Sequence, residues 1–189
     1  MELLKQKILS EGTVLSGNVL KVDSFLNHQL DPVLTMEMGA EFARRFEGCA
    51  VEKILTIESS GIAVALAAAL KFNVPLVFAR KKKSVLMSEE AYSTEVYSYT
   101  KKETNNITVL KKFLPAGEKI LIIDDFLASG AAAIGLASLA RQAGCEVVGI
   151  GIVIEKSFQE GAEKLRQAGY RLESLVRIAS LDDCKVTFL

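Results

Sequence analysis

The run Ile120-Leu121-Ile122-Ile123-Asp124-Asp125-Phe126-Leu127-Ala128-Ser129-Gly130-Ala131-Ala132 holds the residues best suited to chemistry. Four apolar residues end in two adjacent carboxylates, Asp124 and Asp125. A turn of small residues follows, and a helix starts in the Ala131-Ala132 region. Such a turn at a helix N-terminus presents free backbone N–H groups, and the helix dipole adds to them, so it suits a phosphate monoester. Ser129 adds a hydroxyl, and Gly130 permits close backbone approach. Carboxylates are strong acceptors, so two acids just before a phosphate pocket stand where sugar hydroxyls would lie. A lone Ser-Gly turn would read as an ordinary strand-to-helix turn with an Asp cap. The combination of apolar strand, acid pair and small-residue turn is rarer.

The elements that must position this loop read as alternating strands and helices. Glu2 to Ser10 has Leu3, Leu4, Ile8 and Leu9 on one helical face. Thr13 to Val22 reads as a strand pair around Ser16-Gly17, and Ser24 to Asp31 as a loop. Asp31-Pro32 caps and opens a helix that runs to Phe46. Lys53 to Ile57 is a short strand, followed by the turn Glu58-Ser59-Ser60-Gly61 and an Ala-rich helix to about Phe72. Pro75 opens a second strand. Residues 80–106 are polar and aromatic without core periodicity, and Ile107 to Leu114 reads as an edge strand. Glu118 to Ile123 is a third strand, with a turn from Asp124 to Gly130 and a helix to about Ala143. Glu146 to Ile154, Phe158 to Ala168 and Tyr170 to Ile178 read as strand, helix and strand. Apolar runs alternating with helices predict an α/β fold, a parallel sheet with helices on both faces. Ligands of such sheets bind beyond the carboxyl ends of the strands, which directs attention to loops 58–61, 124–130 and 155–158.

Composition narrows the function. The 189 residues suit a single domain, with no linker or repeat to divide them. Lys+Arg 23 balances Asp+Glu 23, which argues against a general nucleic-acid binder. No apolar stretch reaches a membrane span and no secretory signal is visible, so no membrane partner is expected. Cys49, Cys145 and Cys184 are scattered without CxxC spacing, which argues against a disulfide framework or structural zinc and for a cytoplasmic protein. One histidine, His28, leaves little room for His-based metal sites; it reads as a surface or interface residue.

An apolar strand, Asp-Asp, two apolar residues and Ala-Ser-Gly resembles the signature of type I phosphoribosyltransferases, which use phosphoribosyl pyrophosphate (PRPP). The resemblance covers most of the chain in element order. It implies a type I core with a small N-terminal hood (residues 1–30) and a flexible lid loop (residues 80–106). It further implies that the 5′-phosphate of PRPP lies on Ala128, Ser129, Gly130, Ala131 and Ala132, and the ribose on Asp124 and Asp125. The signature commonly ends in Gly-Thr, where this chain has Ala131-Ala132, so a side-chain hydroxyl is lost. Hypoxanthine-guanine members carry an Asp where this chain has Ala128.

The same resemblance assigns Ser59, Ser60, Arg80 and Lys81 to the pyrophosphate, where fixed cations favour a departing diphosphate. Read alone, Ser59 or Ser60 is a helix cap, and Lys82 and Lys83 belong to a solvated charge run. Ser98, Tyr99 and Thr100 are candidate closing contacts of the lid, a stretch that also reads as a surface hairpin. Lys156 resembles the lysine that donates to the O6 of 6-oxopurines, and Phe158 an aromatic that stacks on the ring. The stretch Asn18 to Gln29 resembles the hood of bacterial xanthine-specific members, with Leu20 and Asn27 against the base. Without that resemblance Leu20 is a core residue, Asn27 a turn residue, and Phe158 a core residue behind a Ser157 cap. The partners implied are PRPP with Mg²⁺, a 6-oxopurine with xanthine foremost, and a second copy in a homodimer. No residue is assigned as a catalytic acid or base, and no side chain as a metal ligand. Guanine, hypoxanthine or adenine as the base remains an alternative. So does a regulator that binds PRPP without chemistry, although such relatives carry a DNA-binding helix-turn-helix that this chain lacks. A dinucleotide enzyme would need GxGxxG after a strand, and none is present.

Overall fold

The structure is a computed structural model describing residues 1–15, 18–81, 90–98 and 103–189. A six-stranded sheet forms its centre, in the order β10-β9-β8-β7-β3-β4. Strands β3 (Lys53–Ile57), β4 (Leu76–Ala79), β7 (Lys119–Leu127), β8 (Glu146–Lys156) and β9 (Leu172–Ser180) run parallel, and the short β10 (Thr187–Phe188) closes one edge antiparallel to β9. The sheet is thus mixed and mostly parallel, as its apolar runs predict, with β10 an addition too short to be read from pattern.

Burial of both faces explains those runs. Successive side chains of a strand point to opposite faces. Leu121 and Ile123 enter one core with Met38 and Phe42 of α2 (Pro32–Arg45) and Val64 of α3 (Ile62–Phe72). Ile120 and Ile122 enter the other, with Leu136 and Leu139 of α4 (Ala131–Gln142) and Leu165 of α5 (Gly161–Gln167). Asp31 caps α2 as its sequence position predicts, its Oδ1 accepting from the Leu34 N–H at 3.0 Å.

The hood consists of α1 (Glu2–Glu11), an antiparallel pair β1 (Thr13–Leu15) and β2 (Val19–Lys21), and a π-helical turn over Asp23–Asn27. That turn replaces the loop expected there, because Phe25 and Leu26 are drawn into the core. The Ser16-Gly17 turn lies outside the described residues.

Three further expectations change. Strand β7 does not stop at Ile123; it runs on through both acids to Leu127, because Asp124 pairs with Ile152 and Phe126 with Ile154 of β8. Ile107 to Leu114 is not an edge of the main sheet: its first four residues end β6 (Glu103–Leu110) and residues 111–113 form a 3-10 turn. Strand β6 forms an antiparallel hairpin with β5 (Ala91–Ser98), the second reading of this stretch, lying over α4 where Val96 fills the space left by Gly135. Helix α5 begins at Gly161 rather than Phe158, since residues 157–160 form a turn. Of the expected lid contacts, Tyr99 and Thr100 lie outside the described residues, as do Lys82, Lys83 and the Ser98 side chain. Among the described residues no helix is long and apolar enough to cross a membrane.

Candidate active site

The chain leaves β3 for β4 on one side and returns to β7 on the other, so the strand order reverses between β3 and β7. Ligands of open α/β sheets bind at such a switch point, beyond the carboxyl ends of the strands. A cavity of about 250 Å³ opens there. Glu58, Ser59 and Ser60 line it from the end of β3, Lys81 from beyond β4, and Asp124 to Ala133 from β7 and the start of α4. Val96, Tyr97, Asn105 and Ile107 of the hairpin form a further wall.

The 128–132 turn is built as its sequence predicts. Gly130 has φ +83°, a left-handed conformation that turns the chain sharply into α4. The N–H of Ala131 approaches Ser129 Oγ at 3.5 Å. The N–H groups of Ser129, Gly130 and Ala132 meet no acceptor among the described residues. These are the orphan donors of a helix start.

The acid pair is held in extended backbone. Asp124 Oδ1 accepts from the Asp125 N–H at 3.0 Å, and Asp125 Oδ1 from the Phe126 N–H at 2.9 Å. Asp124 is only 4% exposed, and burial, reinforced by the neighbouring Asp125 carboxylate, pushes its carboxyl well above the ordinary range. A Cβ on Gly61 would lie 3.0 Å from Asp124 Oδ1 and 2.7 Å from Thr56 Oγ1, so only glycine lets the Glu58–Gly61 loop close onto β7. The Glu58–Ser59 peptide bond of that loop is cis.

Arg80 and Lys81 part company. The Lys81 N–H donates to Glu58 Oε2 at 3.1 Å, and the residue lines the cavity. The Arg80 backbone is pinned to Thr108 by two hydrogen bonds of 2.9 and 3.0 Å. Its half-exposed guanidinium stands outside the cavity lining, with Nε 3.9 Å from Glu58 Oε1.

None of the four residues expected at the base lines this cavity. Leu20 and Asn27 belong to the N-terminal segment, and Lys156 and Phe158 to the end of β8 and the turn after it. Lys156 Nζ donates to the carbonyl oxygen of Asn18 at 2.9 Å and lies 5.8 Å from the centre of the Phe126 ring. Burial lowers the pKa of this lysine. Phe158 is half-exposed on the turn before α5, and Asn27 is exposed at the end of the hood's π-turn. Leu20 is buried in the core, as its pattern alone suggests. Sequence reasoning pointed to the 58–61 loop and to a lid or surface hairpin within 80–106, but it assigned no role to Glu58, Phe126, Val96, Tyr97, Asn105 or Ile107, which line the cavity. It also missed Glu155, a fully buried carboxylate that accepts from Ser157 Oγ and Ser174 Oγ at 2.6 Å and from Arg177 Nε at 3.1 Å.

The family model described as the phosphoribosyl transferase domain matches residues 44–175, which span every element of this cavity. The chain belongs to the phosphoribosyl transferase domain family, the type I phosphoribosyltransferases whose signature its acid pair resembles. Over its whole length it is 60% identical to the xanthine phosphoribosyltransferase of Bacillus cytotoxicus, covering 96% of that protein. It is 57% identical to the protein of the same name from Bacillus cereus strain AH187, with the same coverage. Among solved structures, the adenine phosphoribosyltransferase of Rhodothermus marinus shares the fold, with a TM-score of 0.73 over 94% of this chain and 97% of that one, at 23% identity.

Proposed function

We propose that this chain transfers the phosphoribosyl group of PRPP to xanthine, giving xanthosine 5′-monophosphate and pyrophosphate. The observation that carries the reading is one cavity in which Ser59, Ser60, Lys81, Asp124, Asp125 and the 128–132 turn converge. Full-length likeness to proteins named for xanthine supports the choice of base.

The 5′-phosphate sits on the backbone donors of Ala128, Ser129, Gly130, Ala131 and Ala132. Asp124 and Asp125 accept from the ribose hydroxyls. Ser59, Ser60 and Lys81 surround the pyrophosphate, and Arg80 extends the cationic rim. Lys156 donates to the purine O6; it offers only donors, which favours an oxo group over the amino group of adenine. Asn27 offers a donor and an acceptor to the purine edge. Phe158 supplies a flat apolar face, and Leu20 covers the ring from the hood. The hood (residues 1–30) and the 80–106 lid belong to one domain with the core.

A purine nitrogen attacks C1 of the ribose with inversion. The new C–N bond forms as the C–O bond to pyrophosphate breaks, and the electron pair leaves on the diphosphate. The proton of the attacking nitrogen passes to solvent. Xanthine is acidic enough to react without a dedicated protein base, which fits Ala128 where related enzymes carry an aspartate. Rate enhancement then comes from positioning and fixed charge.

Among the described residues no group of three or more His, Cys, Asp or Glu could hold a metal ion. Mg²⁺ would come with PRPP, since this ion keeps several waters and is commonly held through substrate phosphates. When bound, it neutralises charge on the departing diphosphate. The three cysteines are free, which suits a reducing cytoplasm. A homodimer would cover the apolar residues that α2 and α3 leave exposed, Val33, Met36, Leu66 and Leu70.

The test is pyrophosphate release with PRPP, Mg²⁺ and, separately, xanthine, guanine, hypoxanthine, adenine and uracil. Turnover with xanthine well above the others is expected. Turnover with adenine alone would overturn the role of Lys156, and none with any base would overturn the reading.

A further inference from the structure

Gly161, the first residue of α5, packs directly against the phosphate turn. Its N–H donates to the Ala128 carbonyl oxygen at 3.0 Å. A Cβ on Gly161 would collide with that oxygen and lie 2.7 Å from Gly130 N and 2.9 Å from Ser129 C. The fit is mutual, since a Cβ on Gly130 would lie 3.1 Å from Gly161 Cα. No side chain can enter this contact unless one backbone moves.

Peptide geometry gives the contact a consequence. The C=O and N–H of a trans peptide point in opposite directions, and the Ala128–Ser129 bond is not among the cis bonds of the described residues. With its Ala128 carbonyl turned outward onto Gly161, this peptide must aim the Ser129 N–H the other way, toward the cavity that Ala128, Ser129 and Gly130 line. That N–H has no acceptor among the described residues. We infer that Gly161 is a positioning residue, fixing the peptide plane that presents the Ser129 N–H to the 5′-phosphate. The inference rests on the reading of the 128–132 turn as the phosphate site.

The same turn that ends at Gly161 begins at Lys156, closed by a 2.9 Å hydrogen bond from the Gln159 N–H to the Lys156 carbonyl oxygen. One six-residue segment therefore carries the base contact at one end and the prop under the phosphate turn at the other.

Gly161→Ala displaces the turn, and misplacement of about 1 Å can cost up to about a hundredfold. We expect KM for PRPP to rise about tenfold or more, with KM for xanthine changing less than about twofold. Gly149→Ala is the control: its Cβ would run into the Phe46 ring, 3.1 Å from Cδ1, in the core on the α2 face. It should lower Tm and leave KM for PRPP near the parent value. A folded Gly161→Ala protein with unchanged KM for PRPP overturns the inference, as does an equal rise in Gly149→Ala.

Amide exchange and chemical shifts of the unmodified protein need no variant to fold. Ribose 5-phosphate is the probe, because it carries the phosphate without the base. The Gly161 N–H should be protected before and after addition, while the Ser129 N–H exchanges freely and shifts only on addition. A freely exchanging Gly161, or a Ser129 amide blind to ribose 5-phosphate, overturns the inference whatever base the enzyme takes. Failure of every base in the turnover assay, with this amide response intact, would instead sink the proposed reaction.

Discussion

Lys156 Nζ is bonded to the carbonyl oxygen of Asn18 across 2.9 Å, so the last residue of β8 is tied to the hood by the same group that would meet the purine O6. An ammonium has three donors, so it can keep the hood contact while it binds the base. Under the proposed role of Lys156, hood position and base recognition would share one charge.

Replacing that charge separates the two substrates. Lys156→Met should raise KM for xanthine about tenfold or more, as loss of a charged hydrogen bond of about 1.5–3 kcal/mol implies, and leave KM for PRPP nearly unchanged. Burial lowers the pKa of Lys156, so its proton is lost at lower pH than that of a free lysine. The folded state thus binds this proton less well than the unfolded chain. Its contribution to stability rises as pH climbs through the folded value toward the unfolded one. Activity has the opposite trend, with kcat/KM for xanthine falling on the alkaline side. Lys156→Arg, charged throughout, should flatten that limb; an unchanged profile in the Arg variant would count against the assignment.

Asp124→Asn should stabilise the protein while weakening it as an enzyme. Burial and the Asp125 carboxylate raise the Asp124 pKa, so the folded state holds this proton more tightly than the unfolded chain does. The resulting stability is fully present below the unfolded pKa and is lost as pH rises through the folded value. At neutral pH the carboxylate is a cost that asparagine avoids, while the Asn oxygen still accepts from the Asp125 N–H. A gain of about 1 kcal/mol corresponds to about 2–4 °C for a chain of this size. Calorimetry at pH 7 should show that rise, shrinking in acid. Kinetics should show kcat/KM reduced about tenfold or more, through lost ribose hydroxyl contacts.

Glu155→Gln should act in the opposite sense on stability. Burial alone would raise this carboxyl, but hydrogen bonds from Ser157, Ser174 and Arg177 outweigh it and hold the pKa below its ordinary value. The stabilisation is present above the unfolded pKa and is lost as pH falls through the folded one. Arg166 and Arg177 are half-exposed, so their share is discounted for solvent screening. The Gln variant should unfold about 1–2 kcal/mol more easily at pH 7 in urea. The difference should vanish in acid, and a gap that persists there would mean the carboxylate charge is not what matters. Since Ser157 adjoins Lys156, KM for xanthine should rise as well.

The core of the fold is legible in sequence where burial is two-sided. Ile120 to Ile123 read as strand because both faces are covered, and Asp31-Pro32 reads as a helix start because the cap is local chemistry. Asp124 and Asp125 read as turn for the same local reason, yet β8 pairs with Asp124 and Phe126 and keeps the strand extended through both acids. That pairing is long-range and leaves no trace near the acids. The hairpin is legible as one reading of its stretch, but its seat is not: the space that admits Val96 belongs to Gly135, 39 positions away. The 128–132 turn and the acid pair are legible as one wall of a cavity because the apolar strand, the two acids and the small residues stand together in sequence. Glu155 and Gly161 are not, since a lone carboxylate and a lone glycine acquire roles only through partners that folding brings to them.

Helix α3 offers the remaining prediction. Its sequence is almost wholly apolar, but only one side faces the sheet, leaving Leu66 59% and Leu70 67% exposed one turn apart. Val33 and Met36 are similarly exposed on α2, the helix packed against it where Gly39 meets Ala67. Apolar surface of this kind on a monomer marks an interaction site, and a second copy of the chain is the proposed occupant. Because both leucines point away from the core, Leu66→Glu and Leu70→Glu together should leave Tm of the monomer within a few degrees. Like charges brought together across a symmetric interface should then prevent association. Light scattering at micromolar concentration should give twice the chain mass for the parent and the single mass for the variant. A parent that is monomeric at that concentration, or a variant that still dimerises, removes this face from consideration.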